Sequence, residues 1–183
     1  MILHYFKKKE NKEQIIATNQ YKFILNESKK FLNNNNFFFA KDYKTSFELV
    51  SIFLIMFIRK NLLEENKTKY KMVNDKLVSL FISDLDESLR EKGIGDMSIG
   101  KYVKSYVNKF YFRITKFPTD NNLYGNQFFI EYIKATNLIK NQDYVNVSRI
   151  FNDKFSEFIN SKIWDSLILF KISVKYTWIN FKN

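Results

Sequence analysis

Apolar residues recur along most of this chain at spacings of three and four, the period of a helix with one buried face. Ile16, Tyr21, Ile24, Leu25, Phe31 and Leu32, with Ser28 among them, mark a first helix over residues 10–32. Asn33 to Asn36 interrupt it, because asparagine side chains compete for the nearby backbone, and a loop is expected through residue 43. Thr45-Ser46-Phe47-Glu48 has the form of a capping box, with Thr45 accepting from an orphan amide and Glu48 reaching back. The helix it opens runs to about residue 63, and its Phe47 to Ile58 stretch is apolar on nearly every side, which predicts the central core element.

Val73, Leu77, Leu80, Phe81, Leu85 and Leu89 sketch a third helix over 67–92, with Gly93 where a left-handed C-cap belongs. A fourth, over 98–117, carries Ile99, Val103, Tyr106, Phe110, Ile114 and Phe117 on one face and stops before Pro118. After a loop at 119–126, two more helices are expected at about 127–140 and 143–161. The last stretch is ambiguous. Ile172, Val174, Tyr176 and Trp178 alternate as in a strand, whereas Leu167, Val174, Trp178 and Phe181 suit a helix. Helix is preferred, since no second segment offers a strand to satisfy its backbone. The expected architecture is an all-α, single-domain bundle of about six to seven helices over residues 1–183, containing a glycine-rich helix-turn-helix hairpin.

Composition narrows the functional classes. Hydrophobic residues at 45% and charged residues at 27% fit a folded domain. The absence of cysteine excludes disulfide and thiolate chemistry, and the single histidine, His4, supplies no material for a histidine triad or a histidine-rich metal site. The N-terminal MILHYFKKKE lacks the apolar core of an export signal, and Leu49–Ile58 is about half the length of a membrane span. A net charge of +11 suits an anionic partner such as ribosomal RNA or acidic lipid, reached through Lys7, Lys8, Lys9, Lys29 and Lys30; compositional drift toward lysine and asparagine would give the same charge.

Three of the four glycines, Gly93, Gly95 and Gly100, fall within eight residues. Gly93 and Gly95 are read as a sharp turn between antiparallel helices, with Asp96 or Ser98 capping the second. Gly100, in that helix's first turn, suggests close approach of another backbone. Asp84, Ser88 and Glu91 share a face with Val73, Leu77 and Leu80, so a charged network with Arg90, Lys92, Lys101, Lys104 or Arg113 is expected to brace the turn, against the alternative of a solvated acidic helix end. No phosphate-binding loop is present, because the glycines follow a helix and no hydroxyl follows Lys101. Asp84 and Asp86 point in different directions, which argues against a catalytic pair.

The constellation Asp84, Asp86, Leu89, Arg90, Glu91, Gly93, Gly95, Asp96, Gly100, Lys101 and Lys104, with Phe110, Tyr111 and Arg113 beyond, resembles the ubiquinol-cytochrome c chaperone family, assembly factors for the cytochrome bc1 complex. Phe47-Glu48-Leu49, leading through an apolar helix to Arg59-Lys60, is similar to that family's other recurring stretch, and the likeness covers about 21–116, leaving divergent helices over 127–183. The resemblance implies a non-enzymatic helical protein without cofactor that holds newly made cytochrome b. It also implies a small helical partner protein and the ribosome as associates. Peripheral contact with a membrane and no DNA partner are expected beside it, in the bacterial cytoplasm at the inner membrane face, with a mitochondrial matrix as the alternative setting. A basic helical RNA- or ribosome-binding module is the alternative. For contact with a client, Phe37, Phe38 and Phe39 are the candidates; rings that plug the core from a loop are the other reading.

Overall fold

The computed structural model describes residues 12–140 and 143–160. Six helices follow in order: α1 (Lys12–Asn34), α2 (Tyr43–Leu62), α3 (Lys67–Glu91), α4 (Asp96–Lys116), α5 (Gln127–Thr136) and α6 (Tyr144–Asn160). The all-helical class is as expected. The C-terminal strand-or-helix question, His4 and Lys7 to Lys9 lie outside the described residues.

Helix ends show where local chemistry overrode pattern. α1 continues through Asn33 and Asn34 and is closed by Asn35, whose amide nitrogen donates to the Phe31 carbonyl at 2.7 Å. The capping box does not form. Asp42 is the N-cap of α2, accepting from the Thr45 amide at 2.8 Å, and that bond holds its carboxyl below the usual carboxylate range. Thr45 and Glu48 are buried instead, because three residues upstream an aspartate already serves the orphan amides. α5 ends at Thr136, earlier than expected, where Asn137 turns left-handed at φ 53°.

At the end of α3 the Ile94 amide donates to the Leu89 carbonyl and the Gly93 amide to that of Arg90, a paired C-terminal closure with Gly93 at φ +83°. Gly95 differs from expectation. It has φ −69° and ψ 155° and is itself the N-cap of α4, so neither Asp96 nor Ser98 caps; the Ser98 hydroxyl donates to the Gly95 carbonyl. Gly100 is also corrected, being exposed and having, among the described residues, nothing within 4 Å of where a Cβ would stand. A Cβ at Gly93 would meet nothing either, so only backbone strain separates these sites. Gly93→Ser is expected to cost about 1–2 kcal/mol in urea unfolding, and Gly95→Ser to change stability by no more than a few tenths. Equal effects would contradict the assignment.

α2 is central. Leu49, Ile52, Phe53, Leu54, Met56 and Phe57 have no exposed surface, and α1, α3, α4 and α6 pack around them. The core is largely aromatic: the Phe53 ring centroid lies 5.3 Å from that of Phe31 on α1 and 5.2 Å from that of Phe158 on α6. One buried amide network crosses this apolar interior. Gln20 and Asn61 exchange hydrogen bonds at 2.9 and 3.0 Å, and Asn61 donates on to Asn74 at 2.7 Å, joining α1, α2 and α3. At the far edge Lys154 of α6 donates to Glu27 of α1 at 2.6 Å. Burial raises the Glu27 pKa, but bonds from Lys154 and Lys30 outweigh it and leave the carboxyl below its ordinary value.

Candidate functional site

The Phe47-Glu48 pair and the Arg113 end of α4 meet. Glu48 is fully buried on a helix that is apolar all round, so its carboxylate must find a cation or be protonated. α4 supplies two, four residues apart and therefore on one face. Arg113 holds both carboxylate oxygens, Nε to Oε2 at 3.1 Å and Nη2 to Oε1 at 3.0 Å, and Lys109 Nζ lies 2.7 Å from Oε1. The two-pronged geometry fixes the relative register of α2 and α4. Rings line this centre: the Arg113 guanidinium lies 5.5 Å from the Tyr132 ring on α5, and the Lys109 ammonium 5.2 Å from the Phe47 ring. Among the described residues the buried Tyr132 hydroxyl has no hydrogen-bond partner, and burial, helped by the Glu48 charge and opposed by Arg113, pushes its phenol far up.

The turn is braced differently from expectation. Arg90 bridges Asp86, at 2.6 Å, and Asp96 across the Gly93 bend, on the outside of the molecule. Asp84 is bound not by a cation but by the Tyr21 hydroxyl at 2.7 Å; burial, then this bond, raise the tyrosine's pKa. Ser88 pairs with the Tyr43 hydroxyl at 3.1 Å, and the Lys92 ammonium sits 3.9 Å from the centre of the Tyr43 ring. Leu89 is buried. Glu91, Lys101 and Lys104 are exposed, and among the described residues none of them forms an ion pair; Tyr111 is half exposed.

The expected phenylalanine cluster divides. Phe38 is buried and bridges Ile139, Phe37 is half-buried beside it, and Phe39 is 67% exposed. A second apolar surface was not foreseen: Ile55, Ile58, Leu62 and Leu63 of the α2 end and Ile114 of α4 line an open hollow beside Arg59, with both leucines more than half exposed. Lys109, Tyr132 and Tyr21 were also missed. The signal for Lys109 was present, since it stands one helical turn before Arg113.

Among the described residues no helix is long and apolar enough to cross a membrane, and no group of three acidic, histidine or cysteine side chains is placed to hold a metal. Neither the curated proteins nor the solved structures gave a match. A family model did, starting later than the likeness read from the sequence and so leaving out α1. Residues 36–118, the stretch that runs through α2, α3, the Gly93 turn and α4, match the family model described as ubiquinol-cytochrome C chaperone.

Proposed function

We propose that this protein is an assembly chaperone of the cytochrome bc1 complex and that its client is newly made cytochrome b, which it holds without catalysing a reaction. The observation that carries the reading is the family match over 36–118, the region in which Glu48 locks α4 to α2 and Arg90 spans the Gly93 bend. A client with several membrane segments presents long apolar faces, and a holder needs a firm frame beside a wet apolar surface. The hollow of Ile55, Ile58, Leu62, Leu63 and Ile114 has those features, and Phe39 offers a second exposed ring. The setting is the cytoplasmic side of a bacterial inner membrane or a mitochondrial matrix, with a small helical partner and the ribosome as further associates.

The test is co-purification of newly made cytochrome b, in detergent, with wild type and with Leu62→Asp/Leu63→Asp. Both leucines are exposed, so folding should survive while client recovery falls at least tenfold. Full recovery with the double variant would move the client elsewhere. Normal bc1 assembly in a deletion strain would end the chaperone reading.

A further inference from the structure

We infer that the outer face of α4 is a docking surface for an anionic lipid bilayer. α4 packs against α3, α2 and α5, and among the described residues its remaining side is unpartnered. Met97, Lys101, Lys104, Asn108, Phe112 and Lys116 follow one another there at steps of three and four, all exposed. Met97 is completely exposed, and Phe112 and the neighbouring Tyr111 are about half exposed. A helix of 21 residues lying flat offers a line about 31 Å long.

The charge on this line is uncompensated. Among the described residues Lys101, Lys104 and Lys116 form no ion pair; Asp96, the one carboxylate within α4, is taken by Arg90, and Glu91 and Asp120 lie beyond the two ends of the helix. Lysine stems lie along apolar surface while their ammonium groups reach phosphate, and methionine, phenylalanine and tyrosine enter the headgroup layer between them. RNA is the other polyanion such a face could meet, but the geometry favours lipid. Single strands are held in grooves with free ring faces for stacking, whereas α4 is a convex ridge, the Phe112 ring lies 5.5 Å from the Lys116 ammonium, and Met97 has no ring to stack. This surface deepens the membrane-side setting proposed above, yet its test contains no client and so fails or succeeds separately.

The experiment is co-sedimentation of the full chain with vesicles of phosphatidylcholine alone or containing phosphatidylglycerol. Binding only to the anionic vesicles, falling with salt, is expected. Lys101→Gln/Lys104→Gln/Lys116→Gln should lose about 100-fold in partition coefficient, from roughly fivefold per lysine at a charged surface. Met97→Ser/Phe112→Ser should lose about tenfold at unchanged net charge. Lys44→Gln/Lys67→Gln/Lys71→Gln removes the same charge from exposed positions elsewhere and should lose far less. An equal loss in that control, binding to neutral vesicles as strong as to anionic ones, or binding of a single-stranded RNA oligonucleotide in place of vesicles would overturn the inference.

Discussion

Replacing Arg113 with methionine is expected to lower the unfolding free energy by about 2–4 kcal/mol, read by urea denaturation. Breaking a buried ion pair from one side typically costs about 3–5 kcal/mol, because the charge left behind has lost its solvation and its partner. The range is set lower here because Lys109 still reaches Oε1 of Glu48 and is itself one-third exposed, so water and one cation remain. Arg113→Lys does not rescue, since an ammonium cannot occupy both oxygens at once. Glu48→Leu/Arg113→Met, which removes both charges and keeps the volume, should regain most of the loss and give a coupling energy above about 1 kcal/mol in a double-mutant cycle. Were Arg113→Met to unfold at the wild-type urea midpoint, α2 and α4 would not be fastened by this contact, and the frame beside the apolar hollow would need another explanation.

The helices were legible because α1 to α4 carry apolar residues at a period no loop or strand sustains, and because Pro118 disfavours helix at the residue before it. Three features were not, each for a physical reason. Thr45 and Glu48 satisfy the capping pattern, but nothing local reveals that Asp42 caps the helix already and that Glu48 is needed 65 residues away. A glycine in sequence does not declare its φ: Gly93 needs the left-handed region, Gly95 does not, and Gly100 stands in open space. Charged groups near the turn were matched to neighbours in sequence, yet folding gave Asp84 to Tyr21 and Arg113 to Glu48, because helices that pack side by side align residues far apart in the chain. Arg90 with Asp86 and Asp96, all within one local stretch, is the part of that network the sequence could disclose.

Phe53→Ala should be among the most damaging single changes in the molecule, at about 3–5 kcal/mol. Its ring is fully buried on the central helix, in edge contact with Phe31, Phe151 and Phe158, so truncation leaves a void walled by α1 and α6 as well as α2. Rings of fixed shape cannot spread to fill such a gap, which puts the cost above simple loss of transfer energy. Phe53→Leu, which keeps most of the volume, should cost far less, about 1–1.5 kcal/mol. Phe39→Ala provides the contrast, because that ring is 67% exposed and its loss should move stability by no more than about 0.5 kcal/mol. The total stability of a domain this size is about 5–15 kcal/mol, so only the core change threatens the fold at growth temperature. A drop in client recovery from Phe39→Ala at unchanged urea midpoint would mark that ring as contact surface, and the same drop from Phe53→Ala would report unfolding alone.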